Sequence, residues 1–258
     1  MKTSIPNSIY GPVESWRLGK SLGVDVLCVD SICSFECVYC QLGKINRVTT
    51  RRDVFVSTEK VLQDLDRSEW TTADVITFSG SGEPTLAKNL GEIIEKVKLK
   101  TAKPVIVLTN STLLNLPEVR KELSLADKIF CKLDAWSDET LERIDRPREG
   151  ISLESIISGL RLLRREFSGF LAIQTMILRP PKKFELEGFA KILKSINPDE
   201  VQLNLPTRPI PQEYFLETRG NAVESKQEFK TLKTISKSEL AEIGIGLYEL
   251  TGLPIIAR

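Results

Sequence analysis

Cys33, Cys37 and Cys40 lie in the run Cys33-Ser-Phe-Glu-Cys37-Val-Tyr-Cys40. At C-x3-C-x2-C spacing, three thiolates fit on one short loop and can point at one centre. Soft thiolates select zinc, copper(I) or iron–sulfur. Structural zinc takes four ligands, and this chain has no histidine and no second CxxC. Ordinary [4Fe–4S] sites use four cysteines. A set of three suggests a cluster with one iron left open, where a ligand or substrate can bind. The motif therefore reads as chemistry rather than as a staple. Cys28 and Cys131 have no such partners and read as small core residues.

A second polar run, Ser79-Gly80-Ser81-Gly82-Glu83-Pro84-Thr85, follows about forty residues later. Glycines let backbone approach a ligand closely. A buried glutamate can accept hydrogen bonds from an ammonium group.

These residues need a scaffold, and the hydrophobic pattern supplies one. Apolar, β-rich runs at 24–29, 75–78, 105–108, 128–133, 170–178 and 201–205 read as six strands. Between them lie helical patterns: Ser57-Thr58-Glu59 with Val61, Leu62 and Leu65; Leu86 to Val97; a short helix with Pro117 just inside it; helices capped by Ser137 and Ser152; and Leu186 to Ile196. Six βα units imply parallel strands with right-handed crossovers. They are too few for a closed eight-stranded barrel. The expected fold is α/β: an open (β/α)6 partial TIM barrel with parallel strands plus a C-terminal extension. Residues 1–209, with a lead-in over 1–22, are expected to form the barrel domain. Residues 210–258 are expected to close its edge or cap its cleft. In that tail Phe229, Leu232 and Ile235 recur at helical spacing, 238–250 reads as a helix and 253–257 as a strand. The stretch around Gly220-Asn221 is expected to be mobile.

Parallel α/β folds bind ligands at the carboxyl ends of their strands. The cysteines follow the first strand and the Gly82-Glu83-Pro84 turn follows the second. Asn110 follows the third and Asp134 the fourth. Gln174 and Asn204 lie inside the fifth and sixth, with Arg179 and Arg208 just beyond.

The C-x3-C-x2-C run, with Tyr39 before its last cysteine, resembles the signature of the radical S-adenosylmethionine (radical SAM) superfamily. Gly82-Glu83-Pro84 resembles that family's Gly-Gly-Glu-Pro motif, with Ser81 in place of the first glycine. The resemblance implies a [4Fe–4S] cluster on Cys33, Cys37 and Cys40, with SAM on the open iron. It places Tyr39, Gly82, Glu83 and Pro84 against SAM, and Asn110, Asp134, Gln174 and Asn204 at its ribose and carboxylate. It also implies reductive SAM cleavage to a 5′-deoxyadenosyl radical, and an external donor of flavodoxin or ferredoxin type. Tyr10-Gly11-Pro12-Val13, Arg17 to Asp25, Tyr39 to Gly43, Gly82 to Leu86, Leu133-Asp134-Ala135 and Ile144-Asp145-Arg146-Pro147 further resemble a microbial subgroup grouped with wyosine synthases, which modify a transfer-RNA base. The second, N-terminal cluster of those enzymes has no counterpart, because residues 1–27 contain no cysteine.

Charge bears on the substrate. Lys+Arg of 36 against Asp+Glu of 35 gives +1, so the global balance names no partner. Locally, Arg47, Arg51 and Arg52 follow the cysteines, Arg146 and Arg148 follow a helix, and Arg179, Lys182, Lys183 and Arg208 follow the last strands. Arginine offers a planar fork for phosphate or carboxylate. Arg51, Arg52, Arg179 and Arg208 are the candidate substrate contacts, for tRNA or for a protein. An activase of glycyl-radical enzymes is the alternative enzyme, and a non-catalytic electron carrier the alternative outside enzymes. The carrier leaves Gly82-Glu83-Pro84 without a role. No run is long enough to span a membrane, the N-terminus lacks a signal-peptide core, and five cysteines make no disulfide framework. A reducing cytoplasm is expected, with the cluster kept from oxygen.

Overall fold

The computed structural model describes residues 5–220 and 228–258; Asn221, where mobility is expected, lies outside them. The chain opens with an antiparallel hairpin, β1 (Ile9–Ser15) and β2 (Gly19–Val24). Two short strands, β3 (Ile32–Cys33) and β4 (Arg47–Val48), then pair with each other. There follow α1 (Thr58–Asp66), β5 (Val75–Phe78), α2 (Leu90–Thr101), β6 (Val105–Thr109), α3 (Pro117–Leu123), β7 (Lys128–Lys132), α4 (Asp138–Ile144), α5 (Leu153–Glu166), β8 (Phe170–Met176), α6 (Lys183–Ile196) and β9 (Glu200–Asn204). A small pair, β10 (Ile210–Pro211) and β11 (Phe229–Lys230), precedes α7 (Lys237–Thr251) and β12 (Ile255–Ala257). The main sheet runs β1-β2-β5-β6-β7-β8-β9-β12, and every pairing except that of β1 is parallel.

Local chemistry starts the helices where the sequence indicates. Ser57, Ser137 and Ser152 each accept a first-turn N–H at 3.2 Å. Such a cap contributes about 1 kcal/mol.

Alternation along each strand separates two faces. Ile76, Val107, Ile129, Ile173 and Val201 pack under the helices in the main core. Ile106, Phe130 and Ala172 point the other way and form a small second cluster with Leu18 and Phe170. This second face is concave, because the sheet rolls up. Arg17, in the turn of the hairpin at one edge, reaches Asn204 on β9 near the other edge. Arg258, beyond β12, stacks on Trp16 of the same turn. Leu108, Lys132, Gln174, Met176 and Asn204 on the concave face keep solvent access, so the cleft is not filled by side chains. Among the described residues no helix is long and apolar enough to cross a membrane.

Two expectations are corrected. The first parallel strand is Gly19–Val24, not 24–29. Its Gly, Lys and Ser residues carry little β-propensity, and Gly23 is required because an added Cβ would lie 2.1 Å from the Tyr10 ring. Val26, Leu27 and Cys28 are apolar because their loop is buried. Asp25 turns the chain there by accepting the Leu27 N–H at 2.9 Å. The second correction concerns Phe229, Leu232 and Ile235, which form no helix. Phe229 pairs in β11, and Ile235 drops into the core just ahead of α7. The helix begins with the Ser236–Glu239 capping box.

Candidate functional site

The cysteine loop is clamped from both sides. On one side, the Ile32 N–H donates to the Ser81 carbonyl at 2.8 Å, and the Glu83 N–H donates to the Ile32 carbonyl at 3.0 Å. Gly82 thus lies directly beside Ile32. It has φ +145°, and an added Cβ would fall 1.7 Å from the Ile32 oxygen. On the other side, Glu36 and Val38 donate to the carbonyls of Asp145 and Ile144 at 3.0 and 2.9 Å, and Arg148 donates to Ser34 at 2.9 Å. Arg146 adopts φ +46°, which helps turn these carbonyls toward the loop. That is the structural meaning of Ile144-Asp145-Arg146-Pro147.

Inside the loop the Cys40 N–H donates to Cys37 at 3.0 Å, and Cys33 Sγ accepts from the Asn110 amide at 3.5 Å. Cys33, Cys37 and Cys40 are half-buried. Burial pushes the Cys33 thiol up to about 12, with nearby Glu83 adding to the rise. Burial likewise raises Cys37 well above, and Cys40 above, the usual thiol range, and Lys132 opposes both shifts. Such thiols keep their protons until a metal displaces them. Among the described residues, no group of three or more His, Cys, Asp or Glu is placed to hold a single metal ion. In a four-iron cube each cysteine binds its own iron, so the three need not converge on one ion. The donor set fits a cluster better than zinc.

Glu83 is 2% exposed. Its Oε1 accepts the Thr85 N–H (3.1 Å), the Thr85 hydroxyl (2.6 Å) and the Thr109 hydroxyl (2.7 Å). Its Oε2 accepts only the Asn110 N–H, at 2.6 Å. Burial raises its pKa, and these bonds pull it back. A carboxylate has about four lone-pair sites. Oε1 is filled, and Oε2 keeps capacity for one more donor, such as an ammonium. Pro84 and Thr85 are buried behind it, while Gly80 and Gly82 keep solvent access.

Asn110 is already committed. Its amide nitrogen donates to Ser34 at 2.8 Å, and its oxygen accepts the Thr112 N–H at 3.1 Å. It stitches the end of β6 to the cysteine loop. Asp134 is committed as well. It accepts the Met176 N–H at 2.9 Å, pairs with Lys132 at 2.7 Å and takes the Tyr39 hydroxyl. Lys132 also pairs with Asp145 and lies over the Phe35 and Tyr39 rings at 5.0 and 5.2 Å. Burial pulls the ammonium down, but the two aspartates outweigh it and hold its pKa well above normal. Burial raises Asp145 to about 7 against the pull of Lys132. Sequence reasoning missed Lys132 and the role of Asp145. Their only signal was position at the end of β7 and in a quoted motif.

Gln174 and Asn204 sit together on the concave face, joined through Gln202 and Arg17. Gln174 donates to Gln202 at 2.9 Å, and Asn204 accepts from Arg17 at 3.2 Å.

The four candidate arginines separate. Arg52 donates to the carbonyls of Thr85 and Ala87 at 2.8 and 2.9 Å and pairs with Glu122. It braces the Glu83 turn and is not free for substrate. Arg179 forms a bidentate pair with Glu185 at 2.8 and 2.7 Å and stacks on Trp136. Arg51 and Arg208 are exposed and have no carboxylate partner among the described residues, and Arg208 reaches Gln41. The Arg179 guanidinium holds Glu185 down to about 2. A depressed carboxylate stabilises the fold above its unfolded pKa, about 4.3, and loses that effect as pH falls through the folded value. Glu185→Gln is therefore expected to lower the urea midpoint at pH 7 and to match the wild type near pH 2.

The segment after β9 returns over the cysteine loop. The Phe215 N–H donates to Leu42 at 3.4 Å, and the Tyr214 hydroxyl donates to Ser81 at 3.0 Å. Arg219 pairs with buried Asp25 at 2.8 Å. This segment covers the ends of β2 and β5, a contact that lies too far apart in the chain to be read from local pattern.

Residues 29–205 match the family described as the Radical SAM superfamily. A UPF0026 protein of Synechocystis sp. is 52% identical over 221 residues, covering 86% of this chain and 83% of the relative. A UPF0026 protein of Methanocaldococcus jannaschii is 35% identical over 80% of this chain, which spans 65% of that relative's length. A probable GTP 3′,8-cyclase of Saccharolobus islandicus is 30% identical, over 72% of this chain and 58% of its own. Among solved structures, a radical SAM methyltransferase from Sphaerobacter thermophilus superposes with a TM-score of 0.62 at 15% identity, over 92% of this chain and 65% of that one. Streptococcus suis SuiB bound to S-adenosylmethionine gives 0.60 at 9% identity, over 92% and 46%. At these identities the likeness is one of fold, the partial TIM barrel.

Proposed function

We propose that this chain, which belongs to the radical SAM superfamily and stands with the UPF0026 proteins, is an enzyme that acts on a base of transfer RNA. When bound, the [4Fe–4S] cluster and SAM supply a 5′-deoxyadenosyl radical that takes a hydrogen atom from the substrate. Cys33, Cys37 and Cys40 hold the cluster. Glu83 Oε2 and the backbone at Gly82 take the SAM ammonium. Asn110 acts by holding Cys33, and Asp134 by orienting Tyr39, rather than as free SAM ligands. Gln174 and Asn204 line the cleft below. The segment 210–220 keeps water and stray hydrogen donors from the site. An external flavodoxin- or ferredoxin-type protein supplies the electron.

One observation carries the reading: a carboxylate with an open lone pair is clamped, through Gly82 and Ile32, against a three-cysteine loop. The RNA substrate is supported by the subgroup motifs, the nucleotide named for the GTP 3′,8-cyclase relative, and the exposed Arg51 and Arg208, which have no carboxylate partner among the described residues. The anaerobic enzyme with SAM and reductant is expected to form 5′-deoxyadenosine at least ten times faster with total tRNA than without it. Arg51→Ala and Arg208→Ala should weaken tRNA binding, most at low salt. Stimulation by a protein fraction but not by RNA would overturn the RNA reading in favour of an activase.

A further inference from the structure

Arg17 has an unusual environment for a half-buried arginine. It lies in the turn between β1 and β2, yet its guanidinium reaches the concave face at β9. Nη1 donates to Asn204 Oδ1 at 3.2 Å and to Gln202 Oε1 at 3.5 Å. Every other arginine that is buried or half-buried has a carboxylate within 4.0 Å: Arg52, Arg120, Arg161, Arg164, Arg179 and Arg219. Arg17 has none among the described residues. A guanidinium carries five N–H donors; among the described residues this one donates only to neutral amide oxygens, and it lies 5.0 Å from the centre of the Trp16 ring. Desolvating a cation without a counter-charge is unfavourable, so the position calls for an anion.

The neighbours agree. Glu200 lies on the same strand face but spends Oε1 on Gln202 at 2.6 Å and forms no ion pair with Arg17. Burial lowers the Arg17 pKa and the nearby Arg208 charge adds to the fall, while the Glu200 carboxylate opposes both without forming an ion pair. Gln174, Met176 and Asn204 keep solvent access beside it. Arg17 and Arg208, neither with a carboxylate partner within 4.0 Å among the described residues, and a row of amides thus meet on the open part of the cleft.

We propose that Arg17 binds a phosphate group of the substrate inside the cleft, with the Gln174 and Asn204 amides beside it for hydroxyl or base edges. The planar fork suits two phosphate oxygens. This deepens the tRNA reading and rests on it, because it names the group by which a nucleotide is seated. The same phosphate chemistry belongs to a free nucleotide or to a polynucleotide.

The test uses the reconstituted full-length enzyme with SAM. Binding of total tRNA, and separately of a mixture of the four nucleoside 5′-monophosphates, is measured against salt for the wild type, Arg17→Met, Arg17→Lys and Asn204→Asp. The last variant places a carboxylate on Arg17 without removing it. The ligand that the wild type binds should be weakened 10-fold or more by Arg17→Met and by Asn204→Asp, and less by Arg17→Lys. For tRNA, the log–log salt slope of Arg17→Met should be shallower by about 1. If Arg17 only holds the hairpin to β9, Asn204→Asp will keep or raise the melting temperature and leave binding unchanged, and the proposal falls. If tRNA binding depends on Arg51 and Arg208 but not on Arg17, the proposal falls while the RNA reading stands. If neither ligand binds the wild type, both fall.

Discussion

Gly82→Ala is expected to destabilise the protein by about 3 kcal/mol or more, within the range of severe single substitutions, and to prevent cluster assembly. Two independent costs combine there. The backbone at φ +145° is one that L side chains rarely adopt, and the new Cβ would overlap the Ile32 carbonyl at 1.7 Å. That carbonyl accepts the Glu83 N–H, so moving it disturbs the cysteine strand and the Glu83 turn together. Gly150→Ala separates the two costs. Gly150 has φ +90° with nothing within 4 Å, so only backbone strain remains, of order 1 kcal/mol. Urea midpoints and iron per chain after reconstitution check both variants. A Gly82→Ala protein with wild-type iron content would show that the clamp does not position the cysteines.

Lys132→Met is expected to cost about 3–5 kcal/mol at pH 8, as for other broken buried ion pairs. Lys132 is 18% exposed and faces Asp134 and Asp145, each 1% exposed at the side chain. Removing it leaves two buried carboxylates without a counter-charge. The Asp145 pKa must then rise further, since the main influence opposing its rise is Lys132 itself. Ionisation of a carboxylate with a raised folded pKa opposes folding as pH climbs through and beyond that range. The deficit of Lys132→Met should therefore be larger at pH 8 than at pH 5. Adding Asp145→Asn should recover part of it. A deficit independent of pH would mean that Lys132 acts by packing on Phe35 and Tyr39.

Helix patterns are legible where burial is one-sided, and strand patterns where both faces are buried. Val75–Phe78 and Val105–Thr109 announce themselves because both of their faces need apolar or β-branched residues. Cys33, Cys37, Cys40, Gly82 and Glu83 stand out in the sequence because the chemistry expected of them constrains type and spacing, and the structure brings the two motifs together. The Gly19–Val24 strand is not legible, because it pairs with a hairpin partner, β1, and carries residues chosen for close packing against Tyr10. Arg52 and Arg179 looked like free rim charges, since sequence gives position but not partner. Glu122 and Glu185 lie 70 and 6 residues away, respectively. The roles of Arg17 and Lys132 are not legible, for the converse reason. Arg17 lacks a carboxylate partner among the described residues and Lys132 has two, and the residue types alone show neither.

The most direct test of the account is anaerobic reconstitution with iron and sulfide, followed by dithionite and SAM. 5′-Deoxyadenosine is scored for the wild type and for Cys33→Ala, Cys37→Ala, Cys40→Ala and Glu83→Gln. The account predicts product from the wild type and none above background from any cysteine variant. It predicts that Glu83→Gln keeps its cluster and loses at least ten-fold in SAM affinity. A wild-type protein that assembles no cluster, or a cysteine variant that cleaves SAM like the wild type, would contradict it.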